Sequence, residues 1–184
     1  MSRAAVLDAV LKKPKWRKFY RFLWAVLSPE SHIKGIPVRS SEGMQQGDTW
    51  GSTLFCVGID EDVQWANRTL KAEGGMGVFD MDDGYLAAPP DAVFRVVTEL
   101  ERRLRERCRI KLNFSKCQAW SPTAGVVTAA LRAHPDTPFK KGAVPGWTGG
   151  PGLGVVVSGV PVGDPYFVEF HVQAKVDTVL SQTS

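Results

Sequence analysis

The 184 residues, 43% hydrophobic and 23% charged, have the ordinary balance of a chain that folds around a core, and they are enough for one domain. The formal charge of +4 admits a nucleic-acid partner without demanding one. Every apolar run is short and broken by charge or glycine, which argues against a membrane partner. Cys56, Cys108 and Cys117 are odd in number and far apart, which argues against a disulfide framework or a CxxC zinc site and fits a reducing, intracellular compartment, nucleus or cytoplasm.

The opening "MSRAAVLDAVLKK" has no cleavage-site pattern and is not expected to be a signal peptide. Ser2 is placed to cap a helix from Arg3 to about Leu11, which Pro14 breaks. A second helix is expected from Trp16 to Leu27, stopping before Pro29. It belongs to "LKKPKWRKFYRFLW", where Lys and Arg alternate with aromatic residues. Such a stretch suits either phosphates and stacked bases or a surface helix with an aromatic stripe. Glu30 to Gly47 is polar and glycine-bearing and reads as loop, with a short extended piece at Gly35 to Arg39.

A third helix is expected from about Thr49 to Leu70, with Asp48 as its cap and Leu54, Phe55, Ile59 and Val63 on one face. A hairpin follows, with "MGVFDM" and "GYLAA" as strands and Asp82, Asp83 and Gly84 in the turn. Pro90 opens a strongly patterned helix whose Val93, Val96, Val97, Leu100 and Leu104 repeat at helical spacing. The arginine-dense "ERRLRERCRIK" at its end reads as a solvated helix face. Beyond it, "IKLNFSKCQAW" is expected to be a strand and Thr123 to Ala133 a helix. His134 to Pro151 reads as a loop, "GLGVVVSGVPVG" as a strand pair or bent strand, and Pro165 to Leu180 as a terminal helix. Mixed helices and hairpins predict an α+β fold with an antiparallel sheet.

The chemistry concentrates in "GGMGVFDMDDGYLAAPP", where Asp80, Asp82 and Asp83 crowd together at the end of an apolar run. Carboxylates packed this closely repel one another, and a divalent cation would relieve them. The stretch "VFDMD" resembles the D-x-D opening motif of haloacid-dehalogenase-type phosphatases. That resemblance would make Asp80 the nucleophile and Asp82 the acid/base, with "VGDPYF" around Asp164 as a late acidic motif. It breaks where Asp83 and Tyr85 replace the expected Gly and Thr.

Four motifs in order carry a second resemblance. "SSEGMQQGDTWGSTLF" holds Gly43, Gln46, Gly47, Asp48, Gly51, Leu54 and Phe55; "MDDGYL" follows, then "LNFSKC" and "GVVVSGVPVG". Together they resemble the palm of reverse transcriptases, RNA-directed DNA polymerases, and are most similar to the non-LTR-retrotransposon type. The resemblance implies a palm-like antiparallel sheet packed on helices, within a single partial domain over 1–184, with a primer-grip hairpin near 153–163. It implies two-metal nucleotidyl transfer, with Asp82 and Asp83 as catalytic ligands of Mg²⁺ or Mn²⁺. It gives Gln46 and Gly47 to the template and incoming nucleotide, and Lys116 to the triphosphate. Partners would be an RNA or DNA template-primer and dNTPs.

The family's first catalytic aspartate motif and its fingers are not in the sequence, so the chain is expected to be a fragment with an incomplete metal site, inactive alone. Asp80 stands where the family carries an aromatic, and strand alternation would put it on the same face as Asp82. A non-catalytic, nucleic-acid-binding relic of the palm is the remaining alternative.

Overall fold

The computed structural model describes residues 1–27, 30–33, 36–39, 42–43, 49–114, 116–123, 125–135 and 154–182. They form α1 (Arg3–Lys12), α2 (Pro14–Arg17), α3 (Tyr20–Val26), β1 (Glu30–Ile33), β2 (Ile36–Arg39) and α4 (Gly51–Ala72). These are followed by β3 (Met76–Asp80), β4 (Asp83–Ala87), α5 (Pro90–Arg103), α6 (Val126–Ala133), β5 (Gly154–Val157), β6 (Val160–Gly163) and α7 (Pro165–Gln182). The fold is mixed α and β. Its described strands make three separate two-stranded antiparallel ladders, β1–β2, β3–β4 and β5–β6. The chain divides into two compact units, Met1–Ala88 with Val96–Leu112, and Pro89–Arg95 with Asn113–Ser184.

The first unit is organised on α4. Its buried row is Leu54, Gly58, Asp62, Ala66 and Leu70, one residue every fourth position. Phe55 and Val63, expected on the buried face, are only partly buried. One apolar cluster joins Leu54 and Val57 of α4 to Val6, Ala9 and Val10 of α1 and to Leu23 and Leu27 at α3. A second joins Ile59, Ala66 and Leu70 to Val96, Leu100, Leu104 and Cys108. Helix α1 comes closest at Gly58, where a Cβ would lie 3.0 Å from the Met1 sulfur and 3.2 Å from Val6.

Several expectations are corrected. Ser2 does stand before α1, but its side chain caps nothing; its N–H donates to the Cys108 carbonyl at 2.7 Å. The helix expected over Trp16 to Leu27 is broken by a turn at Lys18 and Phe19 into α2 and α3. Much of the loop expected from Glu30 is the β1–β2 hairpin, in register from Glu30↔Arg39 to Ile33↔Ile36. Here the ladder is made by backbone pairing, which the polar composition does not advertise. Among the described residues of "IKLNFSKCQAW" the expected strand does not form. The N–H groups of Lys116 and Cys117 donate back to the carbonyls of Asn113 and Phe114, at 3.0 and 3.3 Å, so this backbone satisfies itself in a local turn. The expected cap, Asp48, lies outside the described residues.

In the second unit, β5 and β6 form a hairpin from Gly154↔Gly163 to Val157↔Val160. Its turn residues Ser158 and Gly159 both have positive φ, 47° and 82°, the pattern of a tight two-residue turn matched to strand twist. Asp164 then starts α7. Its carboxylate accepts the Phe167 N–H at 2.8 Å, and Pro165 occupies the first helical position.

Candidate functional site

The carboxylate stretch folds as a hairpin because residues of one parity are apolar or small and pack inward. β3 pairs with β4 in the register Gly77↔Leu86, Val78↔Tyr85, Phe79↔Gly84 and Asp80↔Asp83. Phe79 and Leu86 pack against the α4–α5 cluster. The Phe79 ring lies across Gly84, where a Cβ would come within 3.0 Å of it, so the glycine makes room for the ring. Met76, Val78, Asp80 and Asp83 point the other way and are exposed.

The turn itself is Met81 and Asp82, and Asp83 and Gly84 already belong to β4. Met81 has a left-handed φ of 51°, which glycine usually supplies and which costs a side-chain-bearing residue on the order of 1–3 kcal/mol. Asp80 and Asp83 are direct cross-strand partners, so their Cβ atoms leave the same face about 4.5–5.5 Å apart. The alternation that would have placed Asp80 with Asp82 ends at the turn; Asp80 faces Asp83, and Asp82 stands at the tip. All three are exposed, and no described residue forms a hydrogen bond or ion pair with any of their carboxylates. No three His, Cys, Asp or Glu side chains converge as a metal-binding group among the described residues. What the turn offers is two adjacent hard oxygen donors with a third across the ladder. That donor type suits Mg²⁺ or Mn²⁺, but too few donors converge to complete a coordination shell.

Lys116 is exposed in the Asn113–Cys117 turn of the second unit. Gln46 and Gly47 lie outside the described residues. Asp164, a candidate late acidic residue, is engaged in capping α7.

The sequence reading missed Asp62. It stands in the buried row of α4 with its side chain 1% exposed. Its carboxylate accepts Arg103 Nε at 3.1 Å and Arg107 Nε at 3.0 Å. Arg107 also donates to the Gly58 carbonyl at 2.7 Å, and Arg103 stacks over the Trp65 ring at 5.0 Å. Burial works against the Arg107 charge. The hydrogen bond to Asp62, with the negative potential of Cys108, Asp62 and Glu61, outweighs it and holds the guanidinium above its ordinary pKa. Burial pushes the Cys108 thiol up. The arginine run is therefore only partly a solvated face. Arg102 pairs with Glu99 and Glu106 on the surface and Arg105 reaches the buried Glu101, while Arg103 and Arg107 turn inward. The signal was present as an acid on the apolar row of α4 and two arginines four residues apart.

No known protein family, curated protein or solved structure matches this chain.

Proposed function

We propose that the chain is part of a reverse-transcriptase-like palm, in which the Asp82–Asp83 turn holds a divalent cation for template-directed nucleotidyl transfer. The observation that carries this reading is a tight antiparallel hairpin presenting adjacent carboxylates at its tip, with a strained, left-handed Met81 beside them. Unfavourable backbone conformations concentrate where a fold must aim functional groups. The four ordered sequence motifs add to it. The same geometry speaks against the phosphatase alternative, which needs its nucleophile at the end of a parallel strand.

In this reading Asp82 and Asp83 are metal ligands, Lys116 meets the triphosphate, and Gln46 and Gly47 face template and nucleotide. A bound cation would supply charge neutralisation at the transferring phosphate. The chain's own carboxylates would fix its place but leave it under-ligated, so affinity is weak. Mn²⁺ titration followed by electron paramagnetic resonance is expected to show one weak site that disappears in the Asp82→Asn, Asp83→Asn double variant. Equal binding by the double variant refutes the assignment. The chain alone is expected to give no primer extension on primed RNA with dNTPs and either metal, and no hydrolysis of small phosphate esters. Misplaced metals and primer easily cost several kcal/mol, and each ~1.4 kcal/mol is tenfold in rate.

A further inference from the structure

Residues 9–29 contain no acid, and six cations fall between Lys12 and Arg21. The turn between α2 and α3 keeps right-handed backbone, with Lys18 at φ −63° and Phe19 at φ −91°. Hydrogen bonds from Phe19 N to Trp16 O and from Leu23 N to Phe19 O, each 2.9 Å, carry the helical path through it. Two rows at every third residue, Lys15, Lys18, Arg21 and Trp24, and Trp16, Phe19 and Phe22, each wind about 60° around the helix per step, so cations and rings interleave on its surface. Leu23 and Leu27 face inward and fill the core with Trp16 packed against them, and Lys15, Lys18, Phe19, Arg21, Phe22 and Trp24 are left exposed.

The rings are unusually bare. Phe19 is 44% exposed, Phe22 51% and Trp24 62%. The Phe22 ring meets Trp50 edge-on at 6.3 Å, and Lys18 lies 5.2 Å over Phe19. Lys12 and Lys13 are neutralised by Asp8, Glu61 and Asp60, but Lys15, Lys18 and Arg21 form no ion pair with a described residue. The patch thus combines cations that no described carboxylate pairs with and exposed aromatic rings, Phe22 and Trp24 barest among them.

We infer that this face of α2 and α3 binds single-stranded nucleic acid, its cations on successive phosphates and its rings against bases. Charge complementarity selects a polyanion. The rings select one with exposed flat faces, which a duplex keeps stacked inside. An interfacial membrane helix segregates its apolar and charged residues to opposite sides; here the two rows are neighbours. The inference uses none of the carboxylate residues and does not rest on the polymerase reading.

The test is fluorescence anisotropy of labelled oligo(dT) and oligo(U) with the full chain across a sodium chloride series. Wild type is expected to bind both, and their duplexes more weakly. The Lys15→Ala, Lys18→Ala, Arg21→Ala variant is expected to lower the log–log salt slope by about 2, at ~0.7 per lost phosphate contact. Trp24→Ala is expected to weaken binding about tenfold at unchanged slope, and Trp24→Phe to restore most of it. The Asp82→Asn, Asp83→Asn variant is expected to bind like wild type, which separates this surface from the carboxylate turn. Duplex bound as tightly as single strand overturns the inference. So does unchanged affinity in both surface variants, or binding of phosphatidylserine vesicles with none of the oligonucleotides.

Discussion

At Asp62 a carboxylate sits where helical periodicity expects a leucine, and two guanidinium groups and a backbone-anchored neighbour make that position tolerable. Removing one member of such a group strands the others. Asp62→Ala should lower unfolding free energy by about 3–5 kcal/mol in urea titrations, since Arg103 and Arg107 keep their desolvation without their partner. Cys108, in the same cluster, gives a pH signature. Its folded pKa is raised, so the unfolded chain loses the proton first. The stability associated with the neutral thiol is complete below the unfolded pKa and is lost as pH rises through the folded one. Between pH 8 and the onset of lysine titration near its ordinary 10.5, wild type should lose midpoint with pH more steeply than Cys108→Ala. Parallel profiles would remove Cys108 from that account. Asp62 was hard to read from sequence because an acid at an i+4 position is ordinarily a solvated one; what decides its burial is a pair of arginines more than forty residues away.

Among the elements, α5 was the most legible, because its residues carry their own period: Val96, Val97 and Leu100, with Leu104 just past its end, are buried, and Val93 is half-buried. The Asp80–Asp83 hairpin was legible for another reason: short apolar runs on both sides of an Asp-Asp-Gly break. Of the β1–β2 hairpin only β2 was legible, as the extended piece at Gly35 to Arg39; β1, Glu30–Ile33, was read as loop because its composition is polar. The segment around Lys116 teaches the converse, for strand-like composition there is answered by local hydrogen bonds from Lys116 and Cys117 back to Asn113 and Phe114. The β3–β4 turn also makes a prediction. Glycine adopts Met81's left-handed backbone without the steric cost, so Met81→Gly should raise stability by roughly 1 kcal/mol, read as a higher denaturant midpoint. A loss of stability would mean that the Met81 side chain contributes more than its backbone costs.

Over the whole molecule, the succession of helical and hairpin patterns was enough for an α+β chain, whereas the division into two units and the central place of α4 came only from packing. α4 belongs to both apolar clusters of the first unit, so neither can be dismantled without exposing part of the other. Between those clusters Asp62 acts as a key. Sliding α4 one turn, about 5.4 Å, along its neighbours would set the carboxylate against aliphatic side chains and leave both arginines facing nothing. An all-aliphatic row would accept that slip with little complaint. Replacing the group together, as Asp62→Leu, Arg103→Leu, Arg107→Met, is therefore expected to keep or raise thermal stability while broadening the methyl resonances of Leu54 and Leu70. Sharp, singly populated resonances in that variant would show that the packing alone tells the helix where to stop.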